Sequence, residues 1–544
     1  MWLRDRNFAG AYNVGDDETI DKDNVVVFYG SNDGHYRAVN GNQTRAIGNV
    51  RPGGELWSFI APEFFGKLER QYTNIPAVSY PGFFVDYDKD GVNDAEPRDY
   101  FFDGATTLLQ DLRSDETLTT FGKTYIYITA RRGGALVYAL DVSDPVAPKI
   151  LWKVSDSEIS ELGQTWSQAK VTQIAAYPNP VLIMGAGYDP AEDADPAPSV
   201  NTKGRGILIL DALNGKVVWA ATADSNADLD DNSCLAGISN LATGGACVDA
   251  SMSKSFPADI TLVDANFDGL TDRLYAVDVA GNIWRVDLEP HGTDSSTAAD
   301  IKLSKFASLG VGADGNSNDA RKFLYGPDII PTADYAAIVA VTGDREHPLY
   351  TEDTTAGLAY NVQNRFYMIL DRYNNVTELP DSFTAIKNGD LLNQTFLQCY
   401  NTAGELADCS DDHNKSVRFD ATMADFDGYF FNLGVGEKGV NQPVTASGVA
   451  YFATNKPDVP AGADANSCTA NLGIAQGYQV ALLTGDYVRK SFPGGGMPPT
   501  VITGVVEIDG KRRPFVLGGE GSPFKPVNGA VISGDRDRTY WYYK

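Results

Sequence analysis

One unit recurs along this chain and restricts what it can fold into. An apolar strand-like run meets a glycine turn, and a second apolar run then ends on aspartate. Residues 124–129 lead through Gly133-Gly134 into a run closing on Asp141. Residues 180–185 lead into a run closing on Asp211, followed by Asn214-Gly215 and a third run through Trp219. Residues 273–278 lead through Gly281-Asn282 into a run closing on Asp287, and 365–370 close on Asp371. Residues 25–30 and 35–39 flank Asn32-Asp33-Gly34, and 477–483 run into Thr484-Gly485-Asp486. Short β-branched and aromatic runs bounded by Gly, Asn and Asp are strands joined by tight turns. Their uneven spacing, roughly 50–90 residues, suits repeats that carry insertions. One such unit cannot bury both of its faces, whereas units stacked around an axis can. The expected fold is all-β: a modified β-propeller of about seven four-stranded blades with long loop insertions, forming a single domain over residues 1–544. Two β-sandwich domains are the alternative architecture. Short helices are expected only near residues 62–70 and 157–162.

The 54 glycines, 27 tyrosines and 25 phenylalanines agree with many short strands. The 44 basic side chains against 72 acidic ones give a net charge of −28. Such a surface repels nucleic acid and anionic lipid, so neither is an expected partner. No apolar run is long enough to span a membrane. The acidic stretches 189–195 and 224–231 read as solvated linkers. The chain opens abruptly at Met1-Trp2-Leu3-Arg4, beside a strand-like stretch. It therefore reads as a C-terminal piece of a longer protein.

Two nine-residue acidic loops carry the clearest chemistry. Residues 86–94 read Asp-Tyr-Asp-Lys-Asp-Gly-Val-Asn-Asp, and residues 264–272 read Asp-Ala-Asn-Phe-Asp-Gly-Leu-Thr-Asp. Both place side-chain oxygens at positions 1, 3, 5 and 9 and glycine at position 6. This is most of an EF-hand loop, without the bidentate glutamate at position 12 and without flanking helices. Ca²⁺ takes six to eight hard oxygen ligands, and alternate positions of a tight loop can supply them. The candidate ligands are Asp264, Asn266, Asp268 and Asp272 with the Leu270 carbonyl. In the other loop they are Asp86, Asp88, Asp90 and Asp94 with the Val92 carbonyl. The competing reading is a plain turn built from natural turn formers. Four histidines, none near a cysteine pair, offer no zinc-type site.

Cys234 with Cys247, and Cys399 with Cys409, bracket polar loops and suggest two local disulfides in an oxidising compartment. Each closure would stabilise by about 2–3 kcal/mol in the chain-entropy picture. Cys468 is left over. His35, His291, His347 and His413 have no evident catalytic partner and read as solvated or capping side chains. Trp57, Trp152, Trp219 and Trp284 read as blade packing.

Residues 27–34, 55–62 (Glu-Leu-Trp-Ser-Phe-Ile-Ala-Pro), 100–104 (Tyr-Phe-Phe-Asp-Gly), 138–145 and 264–288 together resemble the PilY/PilC family of type IV pilus tip-associated proteins. The second half matches loosely, through Gly343-Asp344-Arg345 and residues 468–486. The resemblance implies a modified propeller at the C-terminus of a larger surface protein. It implies that the 264–272 loop is the family's calcium loop, linked to the balance of pilus extension and retraction. It further implies adhesion to host or abiotic surfaces, twitching motility, pilin or minor pilin partners, and a location at the extracellular pilus tip. The 86–94 loop looks like an insertion relative to the family pattern, and no Arg-Gly-Asp motif occurs. Two other functions compete. Residues 211–219 resemble a docking repeat of calcium-dependent quinoprotein dehydrogenases, but only this unit matches and adjacent cysteines are absent. A carbohydrate-binding propeller with exposed aromatics is the other.

Overall fold

The computed structural model describes residues 2–5, 24–79, 84–111, 123–223, 245–288, 301–310, 319–355, 357–374, 379–380, 382–395, 419, 425–457, 472–508 and 511–517. Its strands form seven sheets that follow one another along the chain. Sheet I holds Trp2–Asp5, Asn24–Gly30, Tyr36–Asn40 and Glu55–Phe59, and sheet II holds Thr106–Asp111, Lys123–Thr129, Leu136–Asp141 and Lys149–Ser155. Sheet III runs Lys170–Ile174, Tyr177–Gly185, Gly206–Asp211 and Val217–Thr222, with Gly245–Val248 added at its edge. Sheet IV runs Thr261–Val263, Arg273–Val277, Asn282–Asp287 and Lys302–Ser308, with Ile386–Lys387 added. Sheet V runs Asp328–Pro331, Ala336–Val341, Arg365–Asp371 and Gly428–Asn432, with Leu392–Asn393 added. In sheet VI, Lys438–Gly439 and Val444–Ala446 share the edge of Val449–Lys456, followed by Ile474–Ala481 and Tyr487–Ser491. Sheet VII is the hairpin Ile502–Ile508 and Lys511–Leu517.

The first four strands of sheets I to V are antiparallel neighbours in chain order. The expected four-stranded blade is thus the core unit, but sheets III, IV and V each gain a fifth strand in parallel pairing. First strands of successive sheets lie side by side, Thr106–Asp111 against Lys170–Ile174 and Thr261–Val263 against Asp328–Pro331, as innermost propeller strands do.

Strand periodicity explains the stacking. Alternate side chains of a strand point to opposite faces. In sheet III, Leu182, Met184, Leu208 and Leu210 pack with Tyr127, Val137 and Trp152 of sheet II. Val181, Ile183, Ile207 and Ile209 pack with Leu274, Trp284 and Val286 of sheet IV. Both faces are dry, so these strands read as continuous apolar runs. Trp219 and Trp284 are wholly buried, and the Trp152 indole donates to the Ala212 carbonyl at 3.0 Å.

The recurring punctuation has physical causes. Gly30 and Gly185 end the second strands of sheets I and III. A Cβ at either would lie 2.1 Å from the carbonyl oxygen of Phe102 or Phe256, on the chain entering the next sheet. The aspartates that close third strands fold the following turn. Asp141 accepts from the Ser143 N–H, Asp211 from the Leu213 N–H and Asp371 from the Tyr373 N–H. The expected helix near 62–70 is present as a single turn, Pro62–Phe64, continuing into the helix Phe65–Thr73. Residues 157–162 form turns instead.

Two networks of charged side chains join different sheets, and the first is almost wholly buried. Between sheets IV and V, fully buried Arg285 pairs with Asp371 at 2.6 Å and with Asp287 at 2.8 Å. Arg273 also reaches Asp287 at 2.8 Å, and the Tyr275 hydroxyl donates to Asp371.

The second network lies where the hairpins joining second and third strands meet. Arg132 of sheet II bridges Asp193 of sheet III and Glu346 of sheet V, at 2.8 and 2.6 Å. Lys322 bridges Glu192 and Asp344 at 2.9 and 2.8 Å, and Lys254 also holds Glu192. The stretch 189–195 is solvent-facing at most positions, as expected, but it is no free linker: Asp189 and Glu192 are buried, and Pro190–Asp193 form a single helical turn. His347 is neither solvated nor a cap. Its Nδ1 lies 2.8 Å from the Asp344 carboxylate and its Nε2 3.0 Å from the Asp193 carbonyl. Both partners can only accept, so both contacts are hydrogen bonds only when the ring is the imidazolium.

Two expectations follow. Asp371→Ala leaves buried Arg285, with Arg273, to share the single carboxylate of Asp287 and should cost about 3–5 kcal/mol in a denaturant titration. Burial lowers the His347 pKa, but the Asp344 carboxylate more than offsets this, and the net direction is upward. Its contribution is complete below the unfolded histidine value, about 6.5, and is lost as pH rises through the raised folded value. The melting temperature of the protein minus that of His347→Gln should therefore shrink from mildly acidic to mildly alkaline pH. A constant difference would mean that the fold leaves the ring's proton affinity unchanged, and a growing one that it holds the ring neutral.

Candidate metal centre

The 264–272 loop joins the first two strands of sheet IV, Thr261–Val263 and Arg273–Val277. Backbone N–H groups fold it inward onto its own carboxylates. The Gly269 N–H donates to Asp264 at 3.1 Å, Leu270 to Asp268 at 2.8 Å, and Ala265 to Asp272 at 2.6 Å. Asn266 accepts from the Asp268 N–H at 2.8 Å, while its amide nitrogen donates to the Asp268 carboxylate at 3.2 Å. Gly269 takes φ +94°, and Phe267 takes φ +63°, unusual for a bulky residue. The Phe267 ring is 81% exposed.

Asp264, Asp268 and Asp272 each offer an oxygen within 4.8 Å of the others. One oxygen of Asp264 and one of Asp272 are buried with no hydrogen-bond partner. Burial, followed by the Asp272 and Asp268 charges, raises the Asp264 pKa. Carboxylates are seldom buried without partners, because desolvation is costly. A hard divalent cation is what such a donor set lacks, so these residues fit Ca²⁺. The loop is anchored on both sides. The Thr271 N–H donates to the Gln173 carbonyl at 2.8 Å, and its hydroxyl meets Thr172 at 2.6 Å on sheet III. The Leu288 N–H donates to the Asp272 carbonyl at 2.7 Å.

The 86–94 loop lies in the connection between sheets I and II. Asp86, Asp88 and Asp94 come within 4.8 Å of one another, and Asp90 is not part of that group. The Asp90 carboxylate instead accepts from the Val92 N–H at 2.7 Å. Asp86 accepts from the N–H groups of Lys89 and Gly91 at 2.5 and 2.9 Å. Lys89 and Gly91 take φ +65° and +87°, matching Phe267 and Gly269 in the other loop. The loop is mostly exposed, and its fit to calcium rests on the donor set alone. Strand alternation puts the two loops at opposite ends of the stack. Connections between sheets share an end with hairpins joining second and third strands, and hairpins joining first and second strands open at the other.

Cys234, Cys399, Cys409 and Cys468 lie outside the described residues, as do His291 and His413; of Cys247 only the backbone, in Gly245–Val248, is described. The Arg285 and His347 networks went unread in the sequence, because their partners are far apart along the chain.

No protein-family model matches the chain. The type IV pilus biogenesis factor PilY1 of Pseudomonas aeruginosa (strain UCBPP-PA14) is 29% identical over 268 residues, 48% of this chain and 17% of that protein. The crystal structure of the Pseudomonas aeruginosa PilY1 C-terminal domain matches 91% of each chain, with a TM-score of 0.56 and 16% identity. This chain is homologous to PilY1. A PilY1 homolog of Xylella fastidiosa is 25% identical over 261 residues, 48% of this chain and 16% of that protein. The chain thus spans about a sixth of the length of the PilY1 proteins it matches. The PilY1 C-terminal fold accounts for the propeller-like stack of sheets.

Replacing Asp264 with asparagine removes one of three crowded charges. Without divalent cations, Asp264→Asn should therefore melt above the parent, by no more than about 1 kcal/mol after solvent screening. With calcium in excess the order should reverse. Thermal melts of both proteins in EDTA and in calcium give the comparison, and an unchanged order would deny that the loop holds a cation.

Proposed function

We propose that this chain is the propeller domain of a longer PilY1-like type IV pilus biogenesis factor, and that the 264–272 loop holds Ca²⁺. The observation that carries the calcium reading is the pair of buried, unpartnered carboxylate oxygens on Asp264 and Asp272. Asp264, Asn266, Asp268 and Asp272 would supply side-chain oxygens and Leu270 its carbonyl. The ion would offset two of the three clustered charges and bind only the folded state. At a concentration one hundred times its dissociation constant, this adds about 2.7 kcal/mol. Asp86, Asp88 and Asp94 with the Val92 carbonyl would form the second, more exposed site, which Asp90 joins by turning its carboxylate from the Val92 N–H.

The domain acts at the cell surface on the pilus tip, in extension and retraction, twitching motility and adhesion to host or abiotic surfaces. Its partners are pilin or minor pilin subunits and the remainder of its own chain. No helix among the described residues is long and apolar enough to cross a membrane, which agrees with a domain that does not insert by a helix. The role is not enzymatic. PilY1 relatives are named as biogenesis factors, and the meeting point of the hairpins is occupied by the ion pairs of Glu192, Lys322 and Asp344.

Calorimetric titration with calcium tests the reading. The parent should bind with Asp268→Ala abolishing the tighter site and Asp90→Ala the weaker. A parent that binds no calcium would remove the central claim. A strain carrying Asp268→Ala in the full-length protein should show altered surface piliation and twitching; unchanged piliation and twitching would detach the loop from pilus control. A quinone absorbance band in the purified protein would overturn the non-enzymatic reading.

A further inference from the structure

Side chains from three sheets converge at the end of the stack where first strands begin and second strands finish. Arg131 and Arg132 follow Lys123–Thr129 of sheet II, and Arg345 follows Ala336–Val341 of sheet V. Trp166 precedes Lys170–Ile174 and Tyr188 follows Tyr177–Gly185 in sheet III, while Tyr325 precedes Asp328–Pro331 of sheet V. Trp166, Tyr188 and the partly buried Tyr325 share one small core with Val279 and Leu324.

Three guanidiniums meet on this core. Trp166 stacks on Tyr188 with ring centres 4.2 Å apart, and Arg131 and Arg132 lie 4.8 and 5.0 Å from the Trp166 ring. Arg345 donates to the Tyr325 hydroxyl at 2.6 Å, and its Nε lies 3.4 Å from Glu346. Arg132 takes both Asp193 and Glu346. Three positive charges thus face two carboxylates. The one left over is Arg131, whose side chain has no acidic partner and no hydrogen-bond acceptor among the described residues.

Arg131 is also held at a conformational cost. Its φ is +51°, in the left-handed region that disfavours a residue with a Cβ. The turn Arg131–Gly133 that carries it is fixed from several sides. The Arg131 N–H donates to the Thr165 carbonyl at 3.1 Å, and the Lys67 ammonium donates to the Gly133 carbonyl at 2.8 Å. A Cβ on Gly133 would lie 1.8 Å from the Phe101 carbonyl oxygen. Covering Trp166 does not explain the strain, since Arg132 lies over the same ring. Strained residues held firmly by their surroundings cluster at ligand clamps.

The unused hydrogen-bonding capacity here is all of one kind. The Tyr325 hydroxyl accepts from Arg345, and its own proton meets no acceptor among the described residues. Burial raises the Tyr325 pKa, and the charges of Arg345 and Arg131 oppose the rise, so Arg131 lies within electrostatic reach of the same hydroxyl. A guanidinium fork and a phenol proton with no oxygen to receive them lack an anion. A carboxylate matches the single surplus charge, and its two oxygens can accept parallel bonds from one arginine. A phosphate dianion would bring a further charge, which Asp193 and Glu346 would repel.

We infer that Arg131 and Tyr325 form a binding seat for a carboxylate, borne by a small acid or by the end of a partner's chain. Arg345 and Trp166 hold the two side chains in place. The seat goes beyond the proposed function and needs neither acidic loop to hold calcium.

The test titrates the whole chain in EDTA with acetate, N-acetyl-triglycine and N-acetyl-triglycine amide, read by saturation-transfer NMR. At least one of the two acids should bind, and the amide should not. Acetate binding as tightly as N-acetyl-triglycine assigns a small acid; N-acetyl-triglycine binding roughly tenfold tighter assigns a chain end. Arg131→Gly removes the guanidinium and accepts the left-handed backbone. It should weaken binding by roughly tenfold or more while keeping a cooperative melt like the parent's. Tyr325→Phe should weaken binding about threefold. The bound acid should also protect Arg131 from a dicarbonyl reagent, mapped by peptide mass. No binding by either acid, equal binding of the amide, tighter binding of inorganic phosphate, or binding unchanged in Arg131→Gly would each overturn the proposal. A failure of calcium binding would leave these titrations unchanged, so the two readings fail separately.

Discussion

A single buried guanidinium sets the geometry on which the candidate metal centre rests. Arg285 has no access to water, and two carboxylates from two sheets, Asp287 and Asp371, share its charge. Burying any one of these groups alone would cost several kcal/mol. Together, with Arg273 and the Tyr275 hydroxyl filling the remaining positions, they form a satisfied cluster that fixes sheet IV against sheet V. Arg273 and Asp287 are the residues next to Asp272 and Leu288, which close the acidic loop. The last carboxylate of that loop is thus held by the least compliant part of the interface. A loop anchored in this way spends little free energy on ordering when an ion arrives.

The two acidic loops show how the same residues acquire different properties from their surroundings. Both adopt the left-handed backbone at their fourth position, whether lysine or phenylalanine stands there. The carboxylate ring imposes this, since the conformation costs about 1–2 kcal/mol for residues other than glycine. Only the hairpin loop is pressed into the body of a sheet, so Asp264 and Asp272 each bury an unpartnered oxygen there while Asp268 stays exposed. The loop between sheets I and II stays mostly exposed.

The architecture was largely legible in the sequence because its determinants are local. Apolar runs and turn-forming aspartates act within a few residues of themselves, and glycines mark the strand ends even where the chain that crosses them comes from the approach to the next sheet. The fifth strands were not legible. Gly245–Val248, Ile386–Lys387 and Leu392–Asn393 are short and join their sheets from distant excursions, and Ile386–Lys387 leaves the excursion of sheet V to pair with sheet IV. Buried charge was likewise hidden. Residues 189–195 look like a solvated linker until Lys254, Lys322 and Arg132 arrive from three other parts of the chain. The three carboxylates of the hairpin loop were readable from spacing, but their orphaned oxygens depend on packing that no single segment encodes.

The connection between sheets I and II is fastened largely through the helix Phe65–Thr73: Leu68 packs on the core, Lys67 donates to the Gly133 carbonyl and Arg70 to the Pro76 carbonyl. It takes no place in the strand order, so its outer surface can be rewritten without repacking a sheet. Insertions and substitutions there should therefore be tolerated with the strand order intact, which makes this connection the place where chains of the same fold can differ most in length and composition.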